Sequence, residues 1–433
     1  MTAPGVSSEG HLRSDRSSEG HRRSERGAPT GTGDRGPSAA LSSEGHRRSE
    51  AVSAHDAWAT PERRALRELV ADFTAREIVP HLERWEDEGA LPRSLHERAG
   101  DLGLLELGFP AAAGGVGEHL DAALVSEQLI LSGGSSGVCA GLFTHGIGVP
   151  HIAAAGDPDQ IDRFVRPVLA GRAIASLGIT EPGAGSDVAA ITTRAERDGD
   201  DYVVTGTKTF ITSGTRADLV TTAVRTGGPG HRGISLLVVE TDRPGVSRSP
   251  LRKMGWHCSD TAELHFDAVR VPASNLVGAE GTGFRQIMVN FAAERLSLAV
   301  QAYATAQRCV DLTADWIRHR RTFGEPLARR QVVRHQVAEM AREATVARTY
   351  VRDVMARWQA GEDVVTELAM AKNTAVAACD AVVDRAVQLH GGMGYMHGVE
   401  VERHYRDARI LGIGGGATEI MNEVVAGRLG LDG

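Results

Sequence analysis

The spacing of apolar residues changes twice along the chain after Thr60. Leu66, Leu69, Val70 and Phe73 recur at helical intervals, and Ile78 and Val79 continue the same face. Thr60-Pro61-Glu62 stands in front of them, a hydroxyl cap followed by proline at the first helical position. Pro92 breaks the pattern and predicts a second helix over 94–102, closed by the loop around Pro110 and Gly114-Gly115. Two more helices are predicted at 120–131 and 157–169, so residues 56–176 read as an all-helical unit. Near residue 173 the period shortens towards two. Stretches 202–206, 219–224, 234–239 and 262–266 read as strands, the first three rich in β-branched residues, and are bounded by turns such as Asp198-Gly199-Asp200-Asp201. They predict a small β barrel or sandwich over 177–283. Helical patterns return at Phe284 and persist over 284–433. Helices, then strands, then helices is an α+β order rather than alternating βαβ units. A Rossmann pattern is absent from the sequence.

The first 55 residues follow neither period. Ser7-Ser8-Glu9-Gly10-His11 recurs at Ser17 and Ser42 among Gly, Pro, Thr and Ser, with hardly any large apolar residue. Such a tail buries too little surface to offset its ordering entropy and is expected to be disordered. A formal charge of −8 argues against nucleic-acid binding, which needs a basic footprint. Cys139, Cys258, Cys309 and Cys379 form no C-x-x-C pair and read as reduced packing thiols. With no membrane-length apolar run and no secretory h-region at the N-terminus, the expectation is a soluble cytoplasmic protein without a membrane span.

Five stretches carry candidate chemistry. An apolar run from Ala173 breaks into Thr180-Glu181-Pro182-Gly183-Ala184-Gly185-Ser186-Asp187, where glycines let backbone amides approach a ligand closely. Lys208-Thr209-Phe210-Ile211-Thr212-Ser213-Gly214 reads as a strand end entering a turn, with Phe210 open to a core role or a ligand role. Lys253-Met254-Gly255-Trp256-His257-Cys258 leads into the 262–266 strand. A metal or nucleophilic site at His257, Cys258 and Asp260 is not expected, because neighbours on a strand face opposite ways. Arg320-Arg321-Thr322-Phe323-Gly324 ends a helix, with Gln331 beyond it. Gln388-Leu389-His390-Gly391-Gly392-Met393-Gly394-Tyr395 precedes Arg403-His404-Tyr405-Arg406-Asp407.

In this order, the stretches resemble the signatures of the acyl-CoA dehydrogenases, flavoproteins that place a double bond between Cα and Cβ of an acyl thioester. The resemblance covers roughly residues 60 to 430; Gly398 departs from it, standing where an acid or Asn is expected. It implies a helical domain, a β domain and a C-terminal four-helix bundle that builds a homotetramer. It also implies FAD as cofactor, an acyl-CoA substrate and electron-transfer flavoprotein as electron acceptor. By the same resemblance Leu177, Ile179, Thr180, Gly185 and Ser186 contact FAD from the first signature. Phe210 would pack on the isoalloxazine, and Thr212 would bond near its N5. Arg320, Phe323 and Gln331 would reach the FAD of a neighbouring subunit. Gln388, Gly391 and Gly392 would approach the adenosine end, and Ala417 and Glu419 complete the cofactor set. Ser186, Arg295 and Gly414 would contact substrate.

The chemistry needs a carboxylate at Cα and hydrogen bonds on the thioester oxygen. Medium- and short-chain members of the family place that Glu in a stretch that here reads Ile413-Gly414-Gly415-Gly416-Ala417-Thr418-Glu419, where the base position is Gly415. Long-chain and isovaleryl members place it on the first helix after the β domain, followed by Arg. Here that is Glu294-Arg295. Phe284, Ile287, Phe291 and Leu298 form an apolar stripe with Glu294 on it. A carboxylate there needs either a partner, such as Arg295, or a function. The glycine at 415 decides for Glu294 as the catalytic base; the resemblance also implies that the main-chain N–H at 415 holds the thioester oxygen, a donor that glycine retains. The chain is therefore expected to be an FAD-dependent dehydrogenase of long-chain or branched acyl-CoA. An oxygen-using acyl-CoA oxidase and a catalytically silent flavin- or CoA-binding scaffold are the alternatives.

Overall fold

The computed structural model describes residues 57–155 and 157–431, so the repeat-bearing tail lies outside the described residues. The first helix, α1 (Pro61–Phe73), starts where expected: the Thr60 hydroxyl accepts the Arg63 N–H at 3.3 Å. It runs through a π turn at Thr74–Ile78 towards α2 (Leu82–Glu88), which ends on Gly89 in the left-handed region at φ 78°. α3 (Arg93–Asp101) and α4 (His119–Leu131) follow.

The next stretch is helical too, although its glycines gave no helical pattern. α5 (Ser136–Leu142), α6 (His145–Gly148) and α7 (Pro150–Ala155) succeed one another along it. Glycine is needed here for close packing. A Cβ on Gly137 would lie 3.1 Å from Trp256 Cα, and one on Gly148 would lie 3.0 Å from Ala175. The predicted single helix at 157–169 is three pieces: α8 (Pro158–Gln160), a π turn (Ile161–Val165) and α9 (Arg166–Leu169), with Pro167 in the last.

Seven strands form the middle unit: β1 (Ala175–Gly178), β2 (Arg194–Asp198), β3 (Asp201–Thr212), β4 (Leu219–Arg225), β5 (Ile234–Glu240), β6 (Val246–Pro250) and β7 (Thr261–Pro272). They make one curled mixed sheet ordered β1-β4-β2-β3-β7-β6, with β5 on β4. β1 runs parallel to β4, whereas β3 and β7 pair antiparallel along most of their length. Both faces of β4 are buried. Leu219 and Ala223 pack with the helical segments around Val149 and Val168, while Val220 and Val224 join Val204, Leu264 and Phe266 inside the curl. Residues 253–260 form no strand. They are a turn that throws His257, Cys258 and Asp260 towards different partners: Arg406, Glu86 and Arg216 respectively.

α10 (Gly283–His319) is the long axis of the C-terminal unit. A two-strand hairpin, β8 (Arg321–Thr322) with β9 (Glu325–Pro326), turns the chain into α11 (Gln331–Gln359) and α12 (Val365–His390). α13 (Glu400–Ala408) and α14 (Thr418–Arg428) finish it, α14 packing on α12 as the fourth helix of the bundle. Its core is continuous with α1 to α5, joined through Leu296, Val300 and Tyr303 of α10. Among the described residues no single helix is long and apolar enough to cross a membrane.

Candidate active site

Two elements meet at Glu294. One is α10. The other is the turn Gly414-Gly415-Gly416 between α13 and α14, where Gly415 and Gly416 take φ of 63° and 100°. These are values that side chains resist. A Cβ on Gly415 would fall 2.7 Å from Leu298 Cδ1 and 3.4 Å from Glu294 Oε1. The Glu294 carboxylate therefore lies against the place where a side chain at 415 would begin.

Glu294 is half-buried, and among the described residues neither of its oxygens has a hydrogen-bond or ion-pair partner. Burial pushes its pKa above the ordinary 4.5, opposed by the charges of Lys372 and Arg295. The Arg295 partnership that a structural Glu would need is not formed. Arg295 Nε donates to Gly415 O at 3.0 Å instead, and its guanidinium lies over Phe291. Lys372, buried on α12, donates to Gly414 O at 2.7 Å and also to Gly416 O. The Gly415 N–H donates to no protein acceptor among the described residues. An unpaired carboxylate and an unpaired amide N–H thus stand side by side. Together they suit abstraction of a proton next to a carbonyl.

The first signature folds as the end of β1 and an open turn. Thr209 N donates to Thr180 O at 2.9 Å, which sets the turn beside Phe210 on β3. Phe210 is 69% exposed and sits at φ 60°, so the core role fails and a large aromatic face is left for a ligand. The hydroxyls of Thr180, Ser186 and Thr212 have no protein partner among the described residues, and Gly183 and Gly185 have open space where a Cβ would go. Free donors, bare glycines and an exposed ring fit a flat heteroaromatic cofactor with a phosphate tail. The Ile179 side chain is in the core and its carbonyl accepts Lys208 Nζ at 3.0 Å. Leu177 is half-buried and packs against the same core.

Lys208 and Glu181 hold this turn to the sheet. Lys208 Nζ donates to Glu181 Oε1 at 2.8 Å, and Glu181 also accepts the N–H of Thr192 at 2.6 Å and of Thr193 at 2.9 Å. Lys208 and these donors bring Glu181 down to about 2 against its burial, whereas burial brings Lys208 down to about 8 against Glu181. Both shifts leave the pair ionised at neutral pH.

The remaining predicted cofactor residues are elsewhere. Arg320 caps the far end of α10 and lies over Trp316, and Phe323 on the adjoining hairpin is 96% exposed. Gln331 starts α11 and is exposed. Trp316 Nε1 donates to Leu389 O at 3.2 Å, so this end also holds Gln388, Gly391 and Gly392. Arg320 is 26 residues from Glu294 on one helix, about 39 Å at 1.5 Å per residue. Ala417 and Glu419 are the cap and first turn of α14, directly after the glycine turn that meets Glu294.

Sequence reasoning missed Lys372 and left Lys208 without a role. Lys372 had a signal: it is in phase with Leu368, Ala375 and Cys379 on the buried stripe of α12. Lys208 lacked one, because a strand end gives no comparable rule.

Family models described as acyl-CoA dehydrogenase N-terminal, middle and C-terminal domains match residues 60–172, 176–269 and 281–430. The chain belongs to the acyl-CoA dehydrogenase family. The rat mitochondrial long-chain specific acyl-CoA dehydrogenase is 36% identical over 370 residues, covering 84% of this chain and 86% of that protein. A solved structure of a probable acyl-CoA dehydrogenase from Mycobacterium abscessus superposes with a TM-score of 0.85 at 64% identity, covering 86% of this chain and all of that one. A Bacillus anthracis acyl-CoA dehydrogenase complexed with FAD gives a TM-score of 0.79 at 30% identity, covering 86% of this chain and 67% of that one. The protein is accordingly an FAD-dependent oxidoreductase that dehydrogenates acyl-CoA.

Proposed function

We propose that the substrates are long-chain or branched acyl-CoA thioesters, converted to trans-2-enoyl-CoA by a cytoplasmic homotetramer that passes electrons to electron-transfer flavoprotein. The unpaired Glu294 carboxylate against the glycine turn whose Gly415 N–H is free carries this reading. Glu294 takes the pro-leaving proton from Cα. The Gly415 N–H donates to the thioester oxygen as enolate charge develops. The chemistry supplied by FAD, when bound, is acceptance of the β-hydrogen as hydride.

Gly414 and Gly415 carry no side chain beside the base, and the long-chain specific relative supports a long acyl group over a short one. The four cysteines are free and buried, in keeping with a reducing compartment. The distance along α10 favours an oligomer. Arg320 and the exposed Phe323 stand too far from Glu294 to serve the same cofactor, so they are available to a neighbour's. The test is anaerobic reduction of the bound flavin by straight and branched acyl-CoAs of graded length, with and without electron-transfer flavoprotein as terminal acceptor. Fastest reduction by four-carbon straight chains would overturn the substrate class. Turnover with oxygen alone would replace the acceptor.

A further inference from the structure

We infer that Lys372 is a positioning residue for the dehydrogenation: it aims the Gly415 N–H at the thioester and gives Glu294 a nearby positive charge without bonding to it. The inference rests on the reading of Glu294 as the base.

Lys372 is 1% exposed, and a buried ammonium needs compensation. Among the described residues it has no ion-pair partner; its protein acceptors are two carbonyls of the glycine turn, Gly414 O and Gly416 O. Arg295 takes the carbonyl between them. All three successive carbonyls are therefore drawn towards cations of α10 and α12. A peptide unit is planar and trans, so its C=O and N–H point in opposite directions. Drawing Gly414 O towards Lys372 turns the Gly415 N–H the other way, towards the side where it has no protein acceptor. Glycines at φ 63° and 100° allow many turn shapes, and the lysine selects one.

The same contacts keep Lys372 off the base. Its protons are directed at carbonyls, so it acts on Glu294 only through space. A direct bridge would occupy the lone pair that must receive the substrate proton. The charged groups facing Lys372 are Glu294 and Arg295, both on α10, and burial brings its own pKa down to about 8.

Lys372→Met removes the charge and both hydrogen bonds while keeping the apolar stem. Expected is a folded, yellow enzyme whose flavin reduction by the best acyl-CoA slows by about 10- to 100-fold, with KM changed by less than about threefold. The pKa of the Glu294 limb of the pH profile should rise. The absorption band of bound cinnamoyl-CoA, which moves to the red when its carbonyl is polarised, should lose part of that shift. A purely structural lysine would lower Tm but leave the pH profile and the band at wild-type positions, and that result overturns the inference. If the variant does not fold, the wild type decides. Reduction rate and cinnamoyl-CoA shift should fall together between pH 7 and 9 as Lys372 loses its proton, and a flat response over that range overturns the inference. Wild-type behaviour of Lys372→Met with an inactive Glu294→Gln removes the lysine alone; wild-type rates in Glu294→Gln remove the base reading beneath it.

Discussion

Glu294 and Gly415 occupy one locus from two directions. Glu294→Gln keeps the size of the side chain and removes the base, so stopped-flow reduction of the flavin should slow by about two to four orders of magnitude, with acyl-CoA still binding. Restoring a carboxylate from the other side is constrained. Gly415→Glu in that background meets φ 63° and the Leu298 methyl 2.7 Å from its Cβ. Recovery should therefore be greater when Leu298→Ala is added, and equal rates with and without that change would show that the contact is not limiting. Glu294 was legible in the sequence because the apolar stripe raised the question and the resemblance, with glycine at the other base position 415, answered it. The stripe raises the same question for Lys372. What no sequence pattern conveys is the orientation of a peptide plane, and the role of Gly415 depends on that.

At the scale of elements, the turn after β1 and the strand β3 are joined by Lys208 and Glu181, both at most 5% exposed. Lys208→Met leaves Glu181 buried without its cation, a loss of roughly 3–5 kcal/mol by analogy with broken buried pairs. Tm and FAD retention should fall together. The double variant Lys208→Met, Glu181→Gln should lose less than the two single changes combined. The pair also predicts an acid response. Glu181 is held at about 2 against an ordinary 4.5, so its contribution is complete above 4.5 and disappears as pH falls towards 2. The Lys208 pKa is lowered too, so its pH slope has the same sign, in a higher window. Between about 8 and 10.5 the unfolded chain holds its proton more tightly, so alkaline titration of Lys208 does not itself destabilise the fold. Thermal melts from pH 5 to 2.5 should show a shallower acid decline in Lys208→Met than in wild type. An identical slope would mean that Glu181 keeps its low pKa without the lysine. Strands and long helices were readable here from their periods. The helices at 136–155 were not, because glycine there is chosen for what it packs against, a tertiary fact that leaves no periodic trace.

For the whole molecule, the order helices, sheet, helices was readable because each unit keeps its own period. That Arg320 stands apart from the other cofactor residues came from the resemblance and not from the motifs themselves, since motif order says nothing of distance. Arg320→Ala should leave the subunit folded and reduce FAD retention, measured as flavin released on gel filtration. Unchanged retention would detach Arg320 from the cofactor. The length of α10 has a further consequence for mixed assemblies. In the proposed oligomer its base end would serve the subunit's own reaction and its arginine end a neighbour's, which makes the two defects separable within one assembly. Glu294→Gln subunits carry an intact Arg320, and Arg320→Ala subunits carry an intact Glu294. Co-refolded, two weak enzymes should complement each other: some composite sites inherit both lesions and others inherit neither. Activity per flavin should then exceed the average of the two parents, as it could not if each subunit were complete in itself.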